Sequence, residues 1–253
     1  MKTKIAVITG ASSGIGLELA KQFAKGGWEL HLVARREELL RKLADQLSVK
    51  TTLHTVDLTV ASGREELIAS LRDIEVSCLV NNAGFGDYAP FAQSEWSRIE
   101  AMLRLNIEAL AHLTHALLPP MVERKRGKIL NVASTAAFFP GPTMATYYAS
   151  KAFVLSFSEA LATELEGSGV SVTCLCPGAV RSEFQERAGL VKSKLMESAM
   201  MDAPEVARAG YQATIRGQRI VIPGTMNALL TLLPRILPRK TIANIVRSVQ
   251  APK

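Results

Sequence analysis

Short apolar runs rich in valine and isoleucine alternate along the chain with longer segments in which apolar residues recur every three to four positions. The runs at 4–9, 29–34, 51–57, 78–83, 128–133, 170–176 and 219–222 predict strands, and 15–26, 37–48, 63–73, 95–117, 147–167 and 204–213 predict helices. Tight hairpins join only antiparallel strands. Strands separated each time by a helix are therefore expected to run parallel, with the helices crossing over. The expected fold class is α/β: an open, doubly wound parallel sheet with helices on both faces. Such sheets bind ligands beyond the carboxyl ends of their strands, so chemistry is expected just after a strand.

At 253 residues, with 48% hydrophobic and 21% charged, the chain can bury a sizeable core, and no linker, repeat or low-complexity tract divides it. One domain over 1–253 is expected. The formal charge of +7 would suit a polyanion. Its cations are spread along the chain without interleaved stacking aromatics, however, so nucleic acid is not an expected partner. The opening MKTKIAVITGASSG runs through too few apolar residues for a signal peptide, which predicts a cytoplasmic address. Cys174 and Cys176 fall on one strand face, too far apart to bridge easily, and are expected as buried, unreactive thiols. His112 and His115 can share a helix face but lack an evident third ligand, so no metal is expected.

After the first strand comes TGASSGIGLELA, with glycines at 10, 14 and 16. Gly10 lets the chain turn off the strand. Gly14 and Gly16 let backbone and helix approach a ligand, presenting helix N-terminal amides to a pyrophosphate. The spacing alone equally suits a tight strand-to-helix turn, but its place after the first strand of an α/β pattern favours a nucleotide. The second strand ends in Arg35 and Arg36, where a dinucleotide fold often places an acid. Guanidinium groups there grip a 2′-phosphate that a carboxylate would repel, so NADP is preferred to NAD.

In ATYYASKAF (145–153), helical geometry puts Tyr147 and Lys151 on one face and turns Tyr148 about 100° away. Read alone, the pair fits an amphipathic helix surface, and Ser134 fits a strand terminator. With TGASSGIG, then NNAG at 81–84, then Tyr147-x-x-x-Lys151, the chain resembles the short-chain dehydrogenase/reductase family from residue 4 to about 184. The resemblance implies a Rossmann fold of about seven strands, a nicotinamide cofactor and a homodimer or homotetramer. It further implies that Tyr147 is the acid or base, that Lys151 lowers its pKa and holds the ribose, that Ser134 orients a carbonyl, and that Asn106 relays protons. The cofactor would meet Gly10, Ser12, Ser13, Gly14, Ile15 and Gly16 in the turn, and Arg35 and Arg36 after the second strand. It would also meet Asp57, Asn82, Ala83 and Gly84, then Pro177, Gly178, Val180 and Ser182, the last standing where the family usually has threonine.

The family uses 183–224 as a closing lid, and methionines 196, 200 and 201 there suit either an adaptable apolar pocket or core filling. The expected substrate is a small hydrophobic ketone or aldehyde, such as a 3-oxoacyl group. The apolar run of the extension 225–253 is broken by Pro234 and Arg235 and cannot span a bilayer. It is expected as a helix or two over the pocket mouth or a subunit interface, in preference to membrane contact. Two other readings were open: a non-catalytic redox sensor, and a lyase or epimerase on the same scaffold.

Overall fold

Residues 3–181, 183–184 and 200–250 are described by the structure, a computed structural model. In β1 (Ile5–Thr9), alternate side chains leave the sheet in opposite directions: Ala6 and Ile8 pack on one face, Val7 on the other. A strand apolar on both faces needs a layer of helices on each. β2 (Glu29–Ala34), β3 (Thr51–Thr55), β4 (Val76–Asn81), β5 (Gly127–Val132) and β6 (Val170–Leu175) follow. β7 (Val180–Arg181) and β8 (Met201–Asp202) pair separately, and β9 (Ile220–Val221) returns to the main sheet. That sheet has seven strands in the order β3-β2-β1-β4-β5-β6-β9, with every pairing parallel. Strand order reverses between β1 and β4, so the crevice for a ligand opens at their carboxyl ends.

The helices are α1 (Gly14–Lys25), α2 (Glu37–Ala44), α3 (Ala61–Ser70), α4 (Trp96–Leu103), α5 (Leu110–Glu123) and α6 (Ala145–Glu164). They are followed by α7 (Ala203–Arg216), α8 (Thr225–Leu230) and α9 (Arg239–Gln250). α1, α2 and α7 cover one face through Leu19, Leu40 and Val206, while α3 and α5 cover the other through Leu67 and Leu113. Pro204 opens α7, and Gly217 ends it in the left-handed conformation at φ 69°.

Two expectations change. The single helix expected over 95–117 is interrupted by a π turn at Arg104–Ala109 and then runs on to Glu123, through Pro119 and Pro120. Buried Leu117 and Met121 hold that last part against the sheet despite the two missing amide donors. The lid expected over 183–224 also shrinks. Residues 201–221 belong to the body of the fold, because α7 buries Val206, Ala207 and Ala213 and β9 completes the sheet. Met201 packs against that core, and Met196, with the rest of 185–199, lies outside the described residues.

Phe23 is fully buried, edge-on to Trp28 at 5.2 Å and to Tyr211 at 4.9 Å, and so ties α1 to β2 and α7. Phe23→Ala is expected to lower unfolding stability by about 3–5 kcal/mol, read from the urea midpoint.

Candidate active site

β1 and β4 are laced together where their order diverges. Asn82 donates from Nδ2 to the Thr9 carbonyl at 2.9 Å, and the Asn82 and Ala83 amides both donate to Thr9 Oγ1 at 3.0 Å. The glycine turn wraps around this lacing. Gly10 has φ 67°, and a Cβ on it would lie 2.8 Å from Asn82 Nδ2. A Cβ on Gly16 would collide with the Gly10 carbonyl and the Asn82 amide. Helix α1 starts at Gly14 with no side-chain cap from Ser13, which leaves first-turn amides free to donate to an anion.

Beside that turn, Arg36 Nη2 donates to Ser12 Oγ at 3.2 Å and Ser13 Oγ at 3.0 Å, while its Nη1 meets Glu183 Oε2 at 3.1 Å. Arg35 Nη1 lies 3.5 Å from Asp57 Oδ2. Burial pushes the Asp57 pKa up, but hydrogen bonds from the Thr59 amide and hydroxyl, with the Arg35 charge, outweigh it and leave the group below its ordinary value.

Across the crevice, Ser134, two residues after β5, caps a short 3-10 turn, its Oγ accepting from the Ala136 amide at 3.1 Å. The same side chain hydrogen-bonds the Tyr147 hydroxyl. One turn along α6, the Lys151 ammonium lies 5.8 Å from the Tyr147 ring centroid and donates to the Val132 carbonyl at 2.8 Å. Both side chains are buried. The glycine turn, the arginines, Asp57, Asn82, Ala83, Gly84, Ser134, Tyr147, Lys151, Pro177, Gly178 and Val180 line one cleft of about 1000 Å³. Gly16 lies beneath it, and Ser182 lies outside the described residues.

A profile of short chain dehydrogenases matches residues 4–191. This chain is a member of the short-chain dehydrogenase/reductase family. As an oxidoreductase of that family it is 40% identical, over 175 residues, to a very-long-chain 3-oxoacyl-CoA reductase of Laccaria bicolor. That match covers 66% of the chain and 52% of the relative, so the chain spans about half of that enzyme's length. It is 39% identical over 181 residues to an NADP-dependent 3-hydroxy acid dehydrogenase of Salmonella typhi, covering 70% of this chain and 72% of that one. A short-chain dehydrogenase from Sphingobium yanoikuyae, solved in complex with NADPH, superposes with a TM-score of 0.82 at 33% identity over 99% of each chain.

In this dehydrogenase/reductase Tyr147, Lys151 and Asn106 are all buried. Burial dominates at Tyr147 and pushes the phenol well above its ordinary pKa, and the Ser134 hydrogen bond only partly offsets this. The lysine is itself pushed down, to about 8, by burial. Asn106, inside the π turn, has its amide fully engaged: Oδ1 accepts from the Phe85 amide at 3.1 Å, and Nδ2 donates to the Phe85 carbonyl and to Ser150 Oγ, each at 3.0 Å. That side chain anchors the loop after β4.

The sequence reading missed the far wall. Tyr148, expected to point away, also lines the cleft, and its hydroxyl accepts from Gln250 Nε2 at 2.6 Å. Tyr88 Oη donates to the Gln250 carbonyl at 2.7 Å, so the end of α9 is clamped over the opening. Phe85, Met144, Phe184, Leu230 and Val249 make this wall apolar.

The depressed Lys151 pKa has a measurable consequence. Between about pH 8 and 10.5 the unfolded chain binds the lysine proton and the folded chain releases it, so folding is favoured as pH rises through that window. Relative to Lys151→Met, wild-type stability should climb by up to about 3 kcal/mol from pH 7 to 10.5. Denaturant titrations of both proteins at the two pH values check this, and a constant difference would contradict the burial of a charged amine.

Proposed function

We propose that the chain is an NADP(H)-dependent carbonyl reductase that converts an apolar ketone or aldehyde, such as a 3-oxoacyl group, to the alcohol. The observation that carries the reading is the buried Ser134–Tyr147 hydroxyl pair, with Lys151 a turn away, facing the glycine turn within one cleft. The apolar far wall and the 3-oxoacyl-CoA reductase among the relatives support the substrate class.

The cleft fits a nicotinamide dinucleotide. The uncapped amides of α1 and the glycines that admit no Cβ suit the pyrophosphate, and Arg35 and Arg36 suit a 2′-phosphate. Lys151 would hold the ribose next to the nicotinamide, with Pro177, Gly178 and Val180 beside the ring. When bound, the nicotinamide supplies the hydride. The protein's own part is to hold the carbonyl and deliver a proton. Ser134 Oγ donates to the carbonyl oxygen and fixes its position. Tyr147 gives up its proton as charge grows on that oxygen. A phenol whose pKa is raised by burial stays protonated at neutral pH, which suits an acid working in the reductive direction. Lys151, charged below its depressed pKa, steadies the phenolate left behind. Asn106 contributes by fixing Phe85 and the adjoining Gly84.

Tyr147→Phe is expected to retain NADPH binding and lose turnover by roughly a hundredfold or more, measured as NADPH oxidation with a panel of apolar ketones. Undiminished turnover would remove Tyr147 from the chemistry. Replacing Arg35 and Arg36 by alanine should weaken NADPH binding by roughly tenfold to a hundredfold, the value of one charge-assisted hydrogen bond, and leave NADH binding nearly unchanged. Equal losses for the two nucleotides would place the 2′-phosphate elsewhere.

A further inference from the structure

From Val206 onward the chain contains no aspartate or glutamate, yet Arg235, Arg239, Lys240 and Arg247 all fall within its last described stretch. None of these four forms an ion pair with a described residue. The same stretch is apolar on its outside. On α8, Met226, Leu229 and Leu230 stand at i, i+3 and i+4 with exposures of 66%, 60% and 44%. Ile236, in the link to α9, is 77% exposed, and on α9 Ile245 and Val249 repeat the pattern four residues apart. Scattered exposed leucines are ordinary, but two helical stripes joined by an exposed isoleucine form a patch that a soluble surface rarely shows. The patch is continuous with the cleft, because Leu230 and Val249 also line its opening. The Tyr88 and Tyr148 bonds to Gln250 fix the helix in that position.

Charge decides the occupant. A second copy joined through this face by a two-fold axis would set arginine against arginine with no carboxylate in either tail to pair them. Single-stranded nucleic acid would want aromatic stacking platforms, and the sequence after Tyr211 has no aromatic residue. Exposed apolar side chains in a segment that carries four cations and no carboxylate match an anionic lipid surface, where acyl chains take the apolar groups and headgroups take the cations. No described helix is long and apolar enough to cross a membrane, so the contact would be with one leaflet. We propose that the face built by α8 and α9 docks on an anionic lipid surface with the opening of the cleft turned towards the bilayer. Docking stands independently of the reductase reading. The corollary, that an apolar carbonyl compound enters the cleft from the lipid, rests on that reading.

Co-sedimentation of the full chain with vesicles tests docking without any turnover. The protein should pellet with phosphatidylcholine vesicles containing about 30 mol% phosphatidylglycerol and stay in solution with phosphatidylcholine alone. Leu229→Glu with Ile236→Glu, and separately Arg239→Glu with Lys240→Glu, should each lower binding by roughly tenfold or more at an unchanged melting temperature. These four side chains lie outside the cleft. Failure to pellet with the anionic vesicles, or binding that survives the Leu229 and Ile236 substitutions, overturns the proposal. So does a lipid-free dimer that the same two substitutions dissociate, which would give the face to a second copy. Vesicle binding by a chain that reduces no carbonyl would leave docking in place and remove only the reductase reading.

Discussion

A methyl group on Gly16 would collide with the Gly10 carbonyl and the Asn82 side chain, and the whole nucleotide end of the molecule is arranged around that lack of room. Helix α1 can approach the ends of β1 and β4 this closely only because Gly16 puts no side chain between them. The same closeness lets Asn82 and Thr9 bind the two strands at the point where sheet order reverses. Had α1 stood further off, the amides of its first turn would face away from the crevice, and Arg36 could not reach Ser12 and Ser13.

The reactive end obeys a different constraint. Tyr147 and Lys151 are both removed from water, and burial acts in opposite senses on a phenol and an amine: it holds the proton on the first and loosens it from the second. Their two pKa values are therefore drawn in opposite directions from the values they have in solution. The Val132 carbonyl accepts a hydrogen bond from the ammonium, and Ser134 hydrogen-bonds the phenol oxygen. Each buried polar group is thus provided for by β5 or the residues just after it, so that segment positions the pair as much as α6 does.

The layered architecture could be read from the sequence because it rests on local periodicity: the inner strands of the main sheet are short apolar runs, and the crossover helices between strands follow from parallel pairing. Tyr147 and Lys151 share a face for the same local reason. The π turn was not legible, because RLNIEAL has an ordinary helical pattern and the widening is tied to Asn106 reaching Phe85, 21 residues earlier. Nor was the far wall. Tyr148 and Gln250 are 102 residues apart, and a single hydrogen bond over that separation leaves no trace in spacing or composition. Within 183–224, a Pro-initiated helix and a short apolar run carry framework signals of their own.

Tyr147 and Tyr148 are adjacent, yet one faces Ser134 and the other is tethered to the tail through Gln250. A single helical turn therefore joins two structurally separate regions: the strand ends that bear the reactive groups, and a terminal segment attached to them by few contacts. Lineages that exchanged that segment would inherit a new entrance with the cluster of Ser134, Tyr147 and Lys151 intact. Selectivity and rate could then diversify at different tempos within one scaffold.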